Sequence, residues 1–594
     1  MASRSTSAVA RARQLAGASR RVPGLQTAAG YRAGWLPRDL VAGLVLSTLL
    51  VPQGMAYAEL AGLPAITGLY TSILCLLGYA VLGPSPVLVL GPDSSLGPMI
   101  AAVILPIAGA QGDPERAIAL ASMLGLLVGA ITSLGAMARL GFVADLLSKP
   151  TMIGYMNGLA LTILIGQLPK LFGFSTDATG VLAEARAFVR GVGDGETVAA
   201  ALAVGLSALA VMLVLQRFWR RVPSVLAAVV VSIAAAYAFG LEGHGVELVG
   251  PLPQGFPPLT VPAVHASDLP LLVGGAFGIA IVSLADTIAT ASAFAGRTGK
   301  EIDGNREMLG VGAANIAAGL FQGFPVSTSG SRTAVAEQAG AKTQVTGVVG
   351  AVAIATMLLA FPGLLRDLPQ PTLAAVVIVA SLSLADVPGV VRLWRQRRTE
   401  CGLSIAAFLG VAVLGVLPGI VVAVALSVAN VFRRAWWPYQ TVLGHVDSLP
   451  GWHDVRSYPE AEQLPGLVVF RFDAPLFFAN ARTFRDQVAG LAAADPRPAW
   501  IVVAAEPITD VDTTASDMLQ ALDESLNARG VSLAFAEMKD PVRRKIERYE
   551  LTRTIDPRHF YPTLEAAIAA FRQRDDGAVA GAAAVGAAPA GDHP

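Results

Sequence analysis

The stretch Phe324-Pro325-Val326-Ser327-Thr328-Ser329-Gly330-Ser331-Arg332-Thr333 sits among apolar blocks but does not read as a plain membrane helix. It opens as an extended, β-prone run, passes Ser and Gly, and reads as helix through Ala334-Val335-Ala336. A second stretch has the same grammar: Ser85-Pro86-Val87-Leu88-Val89-Leu90-Gly91-Pro92-Asp93-Ser94-Ser95, followed by an apolar run. The two lie roughly 240 residues apart, and each is the third apolar block of its half. Non-helical backbone at membrane depth is tolerated only where protein buries it or where it lines a cavity. Interrupted segments at matching positions in two halves point to the central site of a transporter.

Working outward, the whole chain has the composition of a membrane protein. Of its 594 residues, 54% are hydrophobic and 14% charged, and the mean hydropathy is +0.58. Soluble domains carry about 25% charged residues. Apolar blocks close to the spanning length of roughly 17–25 residues fall near 39–61, 64–83, 93–108, 117–140, 150–172, 196–217, 223–240, 269–294, 307–322, 330–340, 344–361, 370–385, 400–416 and 417–436. That is about fourteen segments, two of them too short to span, and seven per half makes the repeat inverted. Placing the N-terminus inside puts Arg139 and Lys149, Arg217, Arg220 and Arg221, Arg297, Lys300 and Arg306, and Arg392, Arg395, Arg397 and Arg398 in cytoplasmic connections. Both termini are then cytoplasmic, although Lys170, Arg186 and Arg190 sit in one opposite connection.

Residues 1–38 read as a basic cytoplasmic tail without order, and 39–437 as the membrane part. Residues 438–575 follow a different pattern. Val468-Val469-Phe470-Arg471-Phe472, Trp500-Ile501-Val502-Val503-Ala504-Ala505 and Ser532-Leu533-Ala534-Phe535-Ala536 read as strands, alternating with helices near 481–492, 515–528, 540–548 and 563–572. Such alternation indicates an α/β domain. Residues 576–594, rich in Ala and Gly, read as a disordered tail. A net charge of zero argues neither for nor against nucleic acid, and no basic stripe supports it, so no nucleic-acid partner is expected. Two cysteines, Cys75 and Cys401, build neither a disulfide framework nor a thiolate metal site. No nucleophile–base set appears, so no enzyme and no cofactor is expected.

The two short helices set the chemistry. A helix N-terminus carries unsatisfied N–H groups and about half a positive charge, so two of them facing each other bind an anion without stationing a full cation there. Ser94, Ser95, Ser329 and Ser331 add hydroxyl donors, and Arg332 adds one fixed charge. Arg332 reads as an anion ligand, as the neutraliser of Asp93, Asp286 or Glu59, or as both at once. Asp93 is a charge partner or a contributor to coupling. Glu59 and Asp286, both within apolar blocks, are candidates for the coupling proton or sodium ion.

At these residues the chain resembles the SulP anion permeases, the family of sulfate permeases, animal anion exchangers and prestin. The resemblance rests on Val51-Pro52-Gln53-Gly54-Met55-Ala56-Tyr57-Ala58, Gly68-Leu69-Tyr70-Thr71-Ser72, Gly91-Pro92, Asp303-Gly304-Asn305-Arg306-Glu307, Gly323-Phe324-Pro325-Val326 and Ser329-Gly330-Ser331-Arg332, in the family's order. The C-terminal part is similar to a STAS domain. The resemblance implies a core and a gate domain built from intertwined inverted repeats, an elevator-like movement, a homodimer and a location in the bacterial inner membrane. It places Gln53 and Tyr57 at the substrate cavity with Ser331 and Arg332, and makes Glu59 the acid of proton-coupled members. Asp286-Thr287-Ile288-Ala289-Thr290 also looks like the acid-and-threonine pair that bicarbonate carriers use for sodium, with Asp286 and Thr290 one helical turn apart. Asp512-Thr513-Thr514-Ala515 is similar to the phosphorylated Asp-Ser-Ser-Gly of soluble STAS relatives, which makes Thr513 either a regulatory phosphorylation site, with a regulatory protein as partner, or part of a helix cap.

The expectation is therefore a secondary active transporter of an inorganic anion, most simply sulfate with proton symport. The alternatives are sodium-coupled transport of bicarbonate or a dicarboxylate, and, in a different class, a passive anion channel. A membrane-anchored sensor would leave the paired half-helices unexplained.

Overall fold

Residues 22–109, 113–141, 147–176, 178, 180–219, 222–298 and 302–574 are described in the computed structural model of the chain. The first part of the basic tail, Arg220, Arg221 and Lys300, and the C-terminal tail 576–594 lie outside the described residues. The rest of the basic tail departs from expectation, because Pro23–Ala29 (α1) is helical. Pro23 starts the helix, and the missing side chain of Gly24 lets it approach closely: a Cβ there would lie 2.5 Å from the carbonyl oxygen of Ala80.

The first half of the membrane part runs through α2 (Leu36–Leu60), α3 (Ala65–Leu82), strand β1 (Leu90–Gly91) leading into α4 (Gly97–Ala108), α5 (Pro114–Met137) and α6 (Lys149–Phe172). A short helix, α7 (Val181–Gly193), precedes α8 (Ala199–Phe218) and α9 (Ser224–Phe239). The second half repeats the order with α10 (Leu269–Thr298), α11 (Gly304–Leu320), strand β2 (Ser327–Thr328) leading into α12 (Gly330–Gln338), α13 (Val345–Ala360) and α14 (Gln370–Leu384). The amphipathic α15 (Val387–Gln396) intervenes before α16 (Arg398–Leu414) and α17 (Val416–Trp436). Without α1, α7 and α15 this gives fourteen segments in two inverted repeats of seven. Among the described residues, eight helices are long and apolar enough to span a bilayer.

The packing itself shows the repeat. Exchanging the halves turns α2 against α13 into α10 against α5, α3 against α13 into α11 against α5, and α6 against α16 into α14 against α8, and each of these contacts exists. Helices α2–α5 and α10–α13 form the core domain; α6, α8, α9, α14 and α16 form the gate domain, and α17 packs on α16 with Gly419 against Val411. Polar clasps repeat too. Asp39, fully buried at the start of α2, accepts from the backbone N–H of Lys342 (2.7 Å) and Thr343 (3.2 Å) and from the Thr343 hydroxyl (2.8 Å), ahead of α13. Its counterpart before α10, Asp268, pairs with Arg116 of α5 at 3.6 Å. Small residues set the closest approaches: a Cβ on Gly68 would lie 1.9 Å from the Gly54 carbonyl oxygen, and one on Gly154 the same distance from that of Ser404.

Helix α4 has 12 residues and α12 has 9. At 1.5 Å per residue neither crosses a hydrocarbon layer about 30 Å thick. The extended lead-ins complete the crossing, and they pair with each other antiparallel, Leu90 opposite Thr328 and Gly91 opposite Ser327. This ladder satisfies backbone groups that the interruptions would otherwise leave bare in a dry interior.

The second compact unit starts at Val428, inside α17. Its six-stranded sheet has the order β4-β3-β5-β6-β7-β8, with β3 (Gln440–His445), β4 (Trp452–Asp454), β5 (Leu467–Phe472), β6 (Trp500–Ala504), β7 (Ser532–Ala536) and β8 (Phe560–Tyr561). Strands β5 to β8 are parallel, and β3 is antiparallel to both its neighbours. Helices α18 (Ala481–Ala492), α19 (Thr513–Asn527), α20 (Asp540–Arg548) and a last one over 564–574 connect and cover them. Alternate residues of β5 serve two cores: Phe470 and Phe472 pack with Phe484, Leu519 and Phe535, whereas Leu467 and Val469 pack with Trp500, Ile568 and Phe571. Strands β3, β4 and β8 add to the three expected.

Candidate substrate and coupling site

The turns entering α4 and α12 are built by their own side chains. Asp93 Oδ1 accepts from the Ser95 backbone N–H (3.0 Å) and hydroxyl (2.8 Å), while the Asp93 carbonyl accepts from Leu96 and Gly97. On the other side Ser329 caps α12, its Oγ accepting from the Arg332 N–H at 3.5 Å and lying 3.0 Å from Ser331 Oγ. Cross-links join the turns: the Ser329 N–H donates to the Val89 carbonyl (3.1 Å), and the Val89 N–H donates to Thr333 Oγ1 (3.1 Å). The two helix N-termini are thereby held together. Gly330 and Ser331 are exposed at the mouth, Ser329 and Asp93 are half-buried, and Ser94 and Ser95 are buried.

Arg332 is 1% exposed and donates through Nη1 to the Pro92 carbonyl (2.5 Å), with Nη2 3.5 Å from Asp93 Oδ2. Its Nε has no partner. The ion pair is made to Asp93 rather than to Asp286 or Glu59, and this is compatible with an anion-ligand role as well.

From α10, Asp286 Oδ2 lies 3.1 Å from Ser95 Oγ. Thr290, one turn on, lies beside Gly330, where a Cβ would come within 3.9 Å of its hydroxyl oxygen. The same helix is pinned to the β2 lead-in, Ser283 donating to the Val326 carbonyl (2.9 Å) and Thr328 to Thr287 (3.4 Å). From α2, Tyr57 is buried with its hydroxyl beside Ser94. Gln53, one turn earlier, is half-buried and makes no hydrogen bond to this cluster among the described residues. Sequence reasoning missed Tyr155 of α6, a gate residue 1% exposed whose hydroxyl has no partner and which interacts electrostatically with Asp286. Within a run of apolar and glycine residues it carried no distinguishing signal.

Glu59 is not part of this cluster. It lines a separate cavity of about 570 Å³ at the far end of α2, with Lys170, Ser175, Glu247 and Gln370. Its neighbours there are the Gln370 side chain and the charges of Lys170 and Glu247. The two candidate coupling acids thus occupy different places.

In the C-terminal unit, Asp512 caps α19, accepting from the Ala515 N–H (2.7 Å) and, across the turn, from the Phe478 N–H (2.8 Å). Thr513 is exposed at the first helical position.

The sulfate permease family model matches residues 36–407, and the STAS domain model matches 458–567. A probable sulfate transporter of Mycobacterium tuberculosis (Rv1739c) is 41% identical over 553 residues, covering 93% of this chain and 98% of its own. Sulfate transporter 1.1 of Arabidopsis thaliana is 28% identical over 557 residues, covering 89% and 85%. Among solved structures, murine Solute Carrier 26 family member A9, an anion transporter in the inward-facing state, superposes with a TM-score of 0.86 at 25% identity over 94% of this chain and 95% of that one. The transmembrane domain of the cyanobacterial bicarbonate transporter BicA superposes with 0.59 at 22% identity over 66% and 98%. A polytopic, interrupted-helix membrane part followed by a STAS domain, matched over nearly its full length, makes the chain a member of the sulfate permease family and an anion transporter.

Proposed function

We propose that the protein is a secondary active sulfate transporter of the bacterial inner membrane, with both termini cytoplasmic, that couples uptake to protons. The observation that carries this reading is the joined pair of helix N-termini at α4 and α12. They offer N–H groups and the Ser94, Ser95, Ser329 and Ser331 hydroxyls to a tetrahedral oxyanion while Arg332 offsets Asp93. The substrate follows from the names of the curated relatives. In this reading the core domain carries the anion against the gate as an elevator, within a homodimer.

Proton coupling rests on a donor count. The Ser95 hydroxyl has one hydrogen and stands 2.8 Å from Asp93 Oδ1 and 3.1 Å from Asp286 Oδ2. It donates to only one carboxylate; the other contact is favourable when that carboxyl carries a proton. A second reading uses the same oxygens, with Thr290, for a sodium ion and bicarbonate as cargo.

Labelled sulfate uptake into proteoliposomes, under an inward proton gradient and then a sodium gradient, separates them. Accumulation driven by protons supports the first reading. No sulfate uptake by folded, correctly inserted protein overturns it, and sodium-driven bicarbonate accumulation then supports the second.

A further inference from the structure

The fixed cation of the central site is buried and engaged, so it does not draw an anion out of solution. Among the described residues lining the 570 Å³ cavity, Lys170 at the end of α6 is the one basic residue. It is half-buried and makes no ion pair among the described residues. Facing it are Glu59 from α2 and Glu247 from the connection after α9, with Gln370 at the start of α14 beside Glu59. The cavity therefore joins the core domain, through α2, to the gate domain, through α6 and α14, at the end of α2 opposite Asp39.

We infer that this cavity is a second, outer oxyanion site, in which Lys170 captures the anion and Glu59 admits it only when protonated. The inference rests on the transport reading above and adds to it a place and an order of binding. Two carboxylates and one ammonium leave the cavity net negative. Glu247 is exposed, and its charge is screened by water and salt; Lys170 and Glu59 are half-buried and screened less. The balance felt by an entering anion is thus set by Lys170 against Glu59. A proton on Glu59, whose Gln370 neighbour can donate to or accept from a carboxyl in either protonation state, removes the opposing charge and leaves the ammonium as the field the anion meets. Proton and anion then enter together, before either reaches Ser95 and the half-helices.

The test reads the cavity directly. Both native cysteines are buried, so Ser175→Cys, at an exposed lining position, supplies a single accessible thiol. In reconstituted full-length protein its labelling rates by an anionic and a cationic methanethiosulfonate reagent are compared at low ionic strength. Lys170→Gln is expected to lower the anionic-to-cationic ratio by about fivefold, Lys170→Arg to restore it, and Glu59→Gln to raise it, all effects shrinking at high salt. Millimolar sulfate is expected to slow labelling when Lys170 is present, more at acidic than at neutral external pH, with that pH dependence lost in Glu59→Gln. A ratio indifferent to Lys170→Gln, or labelling indifferent to sulfate, overturns the inference. Preserved sulfate uptake in that case leaves the transport reading standing; sulfate protection in protein that transports no sulfate keeps the outer site and removes the transport reading.

Discussion

The guanidinium of Arg332 donates to the carbonyl oxygen of Pro92 at 2.5 Å, tying the start of one half-helix to the turn that precedes the other. Asp93, next in the chain, takes its second amino group at 3.5 Å. The one full positive charge among the residues of the central cluster thus fixes the geometry of two partial ones. In the proposed reading, an anion there would meet hydroxyls and N–H groups whose directions are set before it arrives, which would spare the cost of organising them on binding.

Arg332→Ala is therefore expected to lower both uptake and stability. Removing one member of a buried pair strands the other and costs about 3–5 kcal/mol. Asp93→Asn added to Arg332→Ala recovers part of the loss in thermal midpoint but not the uptake. Unfolding in detergent, followed by tryptophan fluorescence, checks the first statement and sulfate uptake the second. Equal midpoints for single and double variants would show that the two side chains do not act as a pair.

The Ser95 hydroxyl predicts a separable effect on coupling. Asp286→Asn keeps a hydrogen-bonding partner beside Ser95 but fixes its charge at zero. Uptake in this variant is expected to persist at a reduced rate and to lose its acceleration by an inward proton gradient. Ser95→Ala, which removes the bridge and one anion donor together, is expected to reduce uptake at least tenfold, as the loss of about 1.4 kcal/mol or more of binding does. Initial rates across external pH measure both.

What the sequence makes legible follows from how local each signal is. The breaks at Ser85–Ser95 and Phe324–Thr333 show because Pro, Gly and Ser interrupt otherwise apolar runs. The pairing of β1 with β2 does not show, since two-residue strands carry no periodicity. The amphipathic α15, with Leu393 buried and Trp394 exposed, is hidden by its arginines, which read as a cytoplasmic loop. Glu59 and Asp286 look alike as isolated acids in apolar helices. Only the fold separates them, because each helix's rotation and its partners decide which cavity a side chain enters.

The tight crossings give a steric prediction. A Cβ on Gly154 would lie 1.9 Å from the carbonyl oxygen of Ser404, a backbone atom that does not turn aside. Gly154→Ala must then push α6 from α16, at a cost of about 1–3 kcal/mol. Gly363→Ala, where nothing lies within 4 Å, serves as control and is expected to leave the thermal midpoint unchanged. A midpoint for Gly154→Ala equal to that of the control would mean that the gate helices yield at this crossing.

In the C-terminal unit, burial raises the Asp523 carboxyl from its usual 3.8 to about 6, against the opposing hydrogen bond from Asn527 Nδ2 at 2.9 Å. The native state then holds more protons than the unfolded chain between those two values, and stability falls as pH rises through that window. The full stabilisation is present below about pH 4 as far as this group is concerned, and it is gone above about pH 7. Asp523→Asn, neutral at every pH and still able to pair with Asn527, is expected to flatten that slope and to raise the thermal midpoint at pH 7.5 by a few degrees. Thermal unfolding of residues 438–575 at pH 5 and pH 7.5 measures it. A variant whose midpoint drops between the two pH values as far as the parent's would show that another group carries the dependence.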